Sequence, residues 1–427
     1  MPIPAPATAR ALTLRGHVHY DDDEQAGRRT PFRHTMTLRE PGRFRAGENP
    51  YIVGKPLEPD SAMFFGRDDI FDFLDRNLRG EHQEHVVALI GPRRIGKTSL
   101  LRRIGARLAD RYHVIFLDVQ GLLIDSAPLL FYELANRVAA SLRSSGVKVP
   151  SPNRAEFEAG ASVMAEGYLQ GAVQAAGGRH LLILLDEFDD LEQKVRSGLL
   201  PESVFSYLRH LIQHQPGVAF ILCGTHRLEE LGQEYWSFLF NLALHRRIGC
   251  LPPDSAHRLI REPLERAGTV CEDLAVEKVW RLTGGHPYFT QLACHRLVDR
   301  CHRDKHNSLA VEDVDATVEE IGEWGGVHLA YLWKFAGEAE RLALAALAEV
   351  GPPGTAVTAL QLAELLRPHG AELAPEALHG SLVALTDQEL LWRVPGPEAR
   401  YSLRLGLLGH WISVRHPLAR IAPGRQA

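Results

Sequence analysis

Apolar positions along the chain fall into two regimes. From residue 65 to residue 222, short apolar runs alternate with stretches of helical periodicity; past residue 250 the helical period continues almost alone. The runs 86–90, 114–117, 181–185 and 218–222 are apolar at nearly every position, which is how a strand reads when both of its faces are covered. Between them the spacing predicts helices near 128–143, 154–176 and 202–214, and Gly66-Arg-Asp-Asp opens an earlier one with acidic residues. A strand-like segment at 247–250 ends this region. The fold class expected is α/β, a parallel sheet with helices on both faces.

Helical periodicity then runs through 255–266, 274–282, 287–301 and 311–321, which predicts a separate helical domain. The last section shows helices near 338–349, 357–367 and 375–386, a strand at 390–394, the turn Pro395-Gly-Pro397, a strand at 400–403 and a helix through Trp411. Three helices followed by a β-hairpin is the order of a winged helix. At the other end, the runs 12–14, 17–20 and 36–38, separated by Asp21-Asp-Asp-Glu24 and Pro41-Gly42, read as a small β element. The organisation expected is therefore a short β-rich segment at 1–48, an α/β core at 49–252, a helical domain at 253–336, a winged helix at 337–417 and a tail at 418–427.

The 427 residues exceed a single compact core at about 150 residues per domain. Hydrophobic residues make up 45% and charged residues 24%, the balance of a folded globular chain. A net charge of -5 supplies no global field toward nucleic acid or an anionic membrane. No run approaches the roughly 20 apolar residues that span a bilayer, and the start lacks a basic flank and apolar run, so a cytoplasmic location is expected. The five cysteines form no Cys-x-x-Cys pair, and the stretch around Cys294, His295, Cys301 and His302 reads as a helix with half-buried thiols and solvated histidines rather than a metal cluster.

The chemistry sits at strand ends. Residues Gly91, Pro92, Arg93, Arg94, Ile95, Gly96, Lys97, Thr98 and Ser99 carry the spacing Gly-x4-Gly-Lys-Thr directly between an apolar strand and a helix. Backbone N–H groups of such a loop wrap phosphates, Lys97 neutralises the β and γ phosphates, and Thr98 offers a hydroxyl to magnesium. ATP with Mg2+ is the expected ligand. The run 181–185 ends in Asp186-Glu187, which places Asp186 at the carboxyl edge of the sheet as the metal-side carboxylate and Glu187 as the group to polarise the attacking water. For Glu187 the competing reading is a helix-entry acid; for Asp189 and Asp190, capping or solvation is preferred. The next strand ends in Cys223-Gly-Thr225-His226-Arg227, where Thr225 could sense the γ phosphate, against simple turn chemistry. Arg93, Arg94, Arg246 and Arg247 are each open to a role as an arginine finger, with surface ion pairing the preferred reading.

Taken together, Asn49-Pro-Tyr51, Phe64-Phe-Gly-Arg67, the loop at 91–98, Asp186-Glu-Phe-Asp189 and Gly284-Gly-His-Pro-Tyr288 resemble the STAND-type signalling ATPases of the AAA+ superfamily, near the archaeal ATPases and origin-recognition initiators. The resemblance spans roughly 49–417. It implies that Gly284, Gly285 and Pro287 close over the nucleotide on the adenine side, that Gly66 and Arg67 lie beside the base, and that the winged helix packs as part of a nucleotide-controlled switch acting on a separately encoded protein partner, with oligomerisation on ATP binding left open. A DNA-associated initiator or regulator is the first alternative. Against it, the presumed recognition helix at 375–385 has no Lys or Arg, and Glu338, Glu340, Glu349, Glu364, Glu372, Glu376, Asp387, Glu389 and Glu398 outnumber the arginines around it, a poor surface for phosphates. A nucleotide-binding scaffold without hydrolysis is the second; the presence of both Asp186 and Glu187 speaks against it.

Overall fold

A computed structural model describes residues 11–20, 27–37, 47–78, 86–225 and 243–422. Strands β1 (Ala11–Tyr20) and β2 (Arg28–Thr37) pair antiparallel over their full length as a two-stranded ribbon. The runs at 12–14 and 17–20 thus belong to one long strand and residues 36–37 to its partner, residue 38 lying outside the described residues. The acidic stretch Asp21-Asp-Asp-Glu24 lies outside the described residues.

The sheet region follows as α1 (Asp68–Leu78), β3 (Val86–Ile90), α2 (Lys97–Leu108), β4 (Tyr112–Asp118), α3 (Ala127–Ser144), α4 (Arg154–Ala175), β5 (His180–Asp186), α5 (Asp190–Arg196), α6 (Ser203–His214), β6 (Val218–Gly224) and β7 (Leu244–Arg247). All five strands from β3 to β7 are parallel, in the order β4-β5-β6-β3-β7. β3, β5 and β6 are buried almost throughout because helices cover both faces. The two faces hold separate apolar clusters. One includes Val86, Ile115, Ile183, Phe220 and α3; the other includes Val87, Leu89, Ile221, α1 and α2. Each fully buried Leu or Ile contributes about 1.5–3 kcal/mol of transfer free energy to this arrangement. β7 sits a few positions earlier than the segment read from the sequence. Its burial alternates, and residues 248–250 continue as a loop.

The helical region comprises α7 (Pro253–Arg266), β8 (Val270–Cys271), α8 (Asp273–Thr283), α9 (Pro287–Asp304), β9 (Ser308–Leu309), α10 (Val311–Asp315) and α11 (Val318–Phe335). Pro287 takes the first turn of α9, where its missing N–H would have no partner in any case. The single helix expected at 311–321 is instead two. The Thr317 hydroxyl donates to the Asp313 carbonyl at 2.7 Å and its N–H to Val314, closing one turn before the chain restarts as α11. After that break α11 runs from Val318 to Phe335.

The last part contains α12 (Glu338–Val350), β10 (Val357–Thr358), α13 (Ala359–Leu366), α14 (Pro375–Asp387), β11 (Leu391–Val394), β12 (Arg400–Leu403), α15 (Gly406–Arg415) and α16 (Leu418–Ile421), with β10-β12-β11 as a small antiparallel sheet. Its apolar core is continuous with that of α7–α11. One cluster joins Leu259, Val279, Phe289, Leu329, Leu344, Leu382 and Trp411, and also takes in Tyr51, Leu57, Met63 and Phe65 from the connection preceding the sheet. That connection is thus a strap. It is anchored to α9 through Asn49 Nδ2, which donates to the His295 carbonyl and to Asp299, and to α7 through the Tyr51 hydroxyl, which donates to the Ile260 carbonyl at 2.6 Å. At its other end, the Leu57 N–H and Glu58 hold α2. No helix of the described residues is long and apolar enough to cross a membrane.

Candidate functional site

The loop at 91–96 leaves β3 at the middle of the sheet and enters α2. Its backbone is fixed from below: Gly91 N–H donates to the Gly224 carbonyl at 3.2 Å, and the Ile248 N–H to the Ile90 carbonyl at 2.7 Å. A Cβ on Gly91 would run into the Ile248 carbonyl. Gly96, at φ 95°, turns the chain into α2 through a region where side chains are disfavoured. Lys97 is 4% exposed, and its ammonium donates to the Gly91 and Pro92 carbonyls, both at 3.3 Å. The loop thus folds around its own lysine, with the positive end of α2 behind it.

β5 lies two strands away and ends at the same edge. Asp186 is 2% exposed and accepts a 2.7 Å hydrogen bond from the Thr98 hydroxyl. Its carboxyl is pushed above the usual range by burial, an effect only partly offset by the hydrogen bonds from Thr98 and the Glu187 N–H and by the Lys97 charge. A buried carboxylate in hydrogen-bond contact with a hydroxyl, facing a loop built for phosphates, has the donor chemistry of a magnesium site completed by phosphate oxygens and water. Among the described residues no cluster of three or more His, Cys, Asp or Glu forms an all-protein metal cage. Cys294 and Cys301 are fully buried apolar thiols, more deeply set than the sequence suggested.

Glu187 follows at φ 47°, left-handed backbone that a side chain occupies at a cost of order 1–3 kcal/mol. Its carboxyl is raised by burial, opposed by the Lys97 charge and reinforced by Asp189 and Asp186. Of the five non-glycine residues with positive φ among the described residues, Arg67, Arg94 and Glu187 line one cavity, while Lys305 and Glu389 do not. Such strain gathers where a side chain must be aimed.

Thr225 meets Asp189. Its hydroxyl donates to Asp189 Oδ2 at 2.7 Å and its N–H to Asp189 Oδ1 at 3.3 Å. Asp189 makes no cap to α5, so the capping role read for it is replaced by a clamp between the ends of β5 and β6. Asp190 pairs with Lys194 at the surface. His226 and Arg227 lie outside the described residues. Arg246 and Arg247 are held in ion pairs to Asp69 and Asp387, the surface reading preferred for them.

The cavity has a volume of about 380 Å³. One wall is Arg93, Arg94, Ile95, Gly96, Lys97, Thr98, Ser99 and Glu187; the facing wall is Pro287, Tyr288 and Gln291 of α9 with Val327, His328 and Tyr331 of α11; the strap closes one end with Ile52, Pro56, Leu57, Met63 and Phe65. The two walls touch through cations on rings. The Arg94 guanidinium lies 4.3 Å from the Tyr288 ring centre and that of Arg93 5.0 Å from Tyr331. His328 is held neutral, its pKa lowered to about 4 by burial and by the Arg94 and Arg93 charges.

Several residues expected beside the base have other places. Arg67 borders the cavity, but its guanidinium donates to the Gly249 carbonyl at 2.6 Å and to the Ile95 carbonyl at 3.0 Å, bracing the loop against the chain after β7. Gly66 packs on Ser255 and Leu251. Gly284 and Gly285 are absent from the cavity wall: a Cβ on the first would meet the Arg404 backbone at 2.5 Å and one on the second the Leu251 carbonyl. They let α8 turn into α9 beneath the C-terminal helices, and of the Gly-Gly-His-Pro segment only Pro287 reaches the cavity. The Ser99 hydroxyl accepts the Leu57 N–H at 2.9 Å and ties the strap to α2. The α11 residues had no sequence motif. Gln291 had a faint signal, since it stands one turn beyond Pro287 on the same helix face.

The fold and this edge define a P-loop NTPase: a central parallel sheet, a phosphate loop after the middle strand, and an acid pair two strands away. A family profile described as an AAA domain matches residues 79–231. Among solved structures, the Walker-type ATPase paby2304 of Pyrococcus abyssi aligns over 84% of this chain and 98% of its own at 15% identity, with a TM-score of 0.60. The ADP form of the ORC2 protein of Aeropyrum pernix aligns over 88% and 99% at 15% identity, with a TM-score of 0.47. The RuvB Holliday junction branch migration motor of Thermotoga maritima aligns over 79% and 92% at 19% identity, with a TM-score of 0.41. Identities this low speak for the fold alone, and only the first alignment is close enough to carry weight. No curated protein matches the chain in sequence.

Proposed function

We propose that the chain is an ATP-dependent switch of the STAND or AAA+ type, which binds ATP between the sheet and the α7–α11 lid, hydrolyses it slowly, and passes its state to a protein partner through a C-terminal winged helix. The observation that carries this reading is the cavity, walled on one side by the phosphate loop and on the other by the lid. In it Lys97 and the loop N–H groups hold the phosphates. Glu187 takes the proton of the attacking water, and its raised pKa makes it the stronger base. Thr225, oriented by Asp189, senses the terminal phosphate. Thr98 and Asp186 are the residues to hold magnesium, which when bound draws negative charge from the phosphate oxygens.

The relay is supported by contacts behind the loop. Arg67 donates to the Gly249 carbonyl; the next N–H, of Cys250, donates to Glu389 at 3.2 Å; Glu389 pairs with Arg404; and Arg404 Nε donates to the Gly284 carbonyl at 3.2 Å. A ligand that bound the closed arrangement more tightly would shift the whole set by its difference in affinity. A protein rather than DNA is the favoured partner because α14 carries Glu376 and no Lys or Arg. Magnesium-dependent phosphate release by the wild type, falling about 100-fold or more in Glu187→Gln while ATP binding changes less than threefold, is the expected result. Equal release by both proteins would remove Glu187 from the chemistry, and no release by either would leave a scaffold without hydrolysis.

A further inference from the structure

The base end of the cavity holds one polar side chain whose orientation is forced. Gln291 is 8% exposed, and its Oε1 accepts the Ile52 N–H at 3.1 Å. A backbone N–H can only face the amide oxygen, so the Nε2 amino group is the end left over. It has no hydrogen-bond acceptor among the described residues, and it is not among the polar atoms sealed away from solvent. The cavity it borders is also lined by the apolar side chains of Ile52, Pro56, Leu57, Leu259 and Pro287. A donor that no protein group accepts, at the edge of a ligand cavity, is left to water until a ligand supplies the acceptor. Beside it, the backbone groups of Val53, Gly54 and Lys55 make no hydrogen bond among the described residues, and Gly54 and Lys55 also line the cavity.

We infer that Gln291 selects adenine: its Nε2 donates to the ring nitrogen next to the 6-amino group, N1 or N7, while a strap carbonyl accepts from that amino group. On either edge adenine presents an acceptor beside a donor, whereas guanine presents two acceptors, N7 and O6, on the corresponding major-groove edge. A fixed donor next to a backbone carbonyl therefore matches adenine and sets the O6 of guanine against the carbonyl. The inference rests on the nucleotide reading of the cavity and adds the side chain by which the adenine base is told from guanine.

Two variants separate reading from folding. Gln291→Glu keeps an oxygen for the Ile52 N–H but puts a second oxygen where the donor stood; Gln291→Met removes both. Calorimetric titration of the full chain with ADP and GDP is expected to show the wild type preferring ADP at least tenfold. Gln291→Glu should lose about tenfold in ADP affinity with less than threefold change for GDP. On the ligand side, 1-deaza-ADP or 7-deaza-ADP should bind the wild type about tenfold more weakly than ADP, and neither penalty should persist in Gln291→Met. ADP affinity within twofold of wild type in both variants, or wild-type affinities for both deaza analogues equal to that for ADP, overturns the role of Gln291 while leaving the cavity a nucleotide site. A wild type that binds no nucleotide overturns the site itself.

Discussion

The two walls of the cavity are built on different terms. On the sheet wall the groups are held by hydrogen bonds: Lys97 by the Gly91 and Pro92 carbonyls, Asp186 by the Thr98 hydroxyl, Thr225 by the Asp189 carboxylate. The lid wall is held by rings and cations, with Tyr288 and Tyr331 beneath Arg94 and Arg93, and His328 stacked at 13° on Tyr331. Hydrogen bonds demand a narrow range of distance and angle; a guanidinium over a ring tolerates many positions at an attraction of about 0.5–2 kcal/mol. The difference teaches where chemistry and motion are separated. On the proposed switch reading, the sheet wall is the fixed side and the α9–α11 wall the side that parts from it.

The comparison can be broken at each wall. The largest effect is expected on the sheet side: Lys97→Ala should weaken ATP binding about 100-fold, the scale of a lost charge-assisted contact to phosphate, read by fluorescent-nucleotide titration. A loss under threefold would mean that the loop does not hold phosphates. On the lid side, Tyr288→Ala combined with Tyr331→Ala should lower unfolding stability by about 2 kcal/mol, read in urea, while the hydrogen bonds of the sheet wall are left in place. An unchanged stability would show that the two arginines do not dock the lid.

The smallest effects are in pH. Glu187 acts as the carboxylate and its pKa is raised, so hydrolysis should fall on acidification at a pH above the ordinary glutamate range, with that limb absent from the residual rate of Glu187→Gln. His328 acts in the other direction of linkage. Its folded pKa of about 4 lies below the ordinary histidine value of 6.5, so the unfolded chain binds the extra proton between them and stability should rise with pH across that window. His286, lowered by burial in the same way, adds to the slope. His328→Gln should flatten it in melting curves taken from pH 4 to pH 7; an unaltered slope would place the titration elsewhere.

The same contrast explains what the sequence made legible. Strands β3 to β6, their helices and the groups at their ends follow from apolar runs and from spacing, because a strand that ends in Asp186 and a loop of the Gly91–Lys97 type have few other uses. On the facing wall only Pro287 was legible. Tyr331 and His328 lie on α11, which begins after the Thr317 turn, and nothing in the spacing of 311–321 announces that break. Gly284 and Gly285 misled for a physical reason: glycine marks close backbone approach, and here the approaching groups are Arg404 and Leu251 rather than a nucleotide. Arg93 and Arg94, for which surface ion pairing was the preferred reading, lie instead over the rings of Tyr331 and Tyr288.

The central claim, that one nucleotide is gripped by both walls, is tested most directly by amide hydrogen exchange of Glu187→Gln with and without magnesium and ATP. Protection is predicted to rise together in the loop at 91–99, at the start of α9 and along α11 around Tyr331. Protection confined to the loop, with α9 and α11 exchanging as they do without nucleotide, would contradict it.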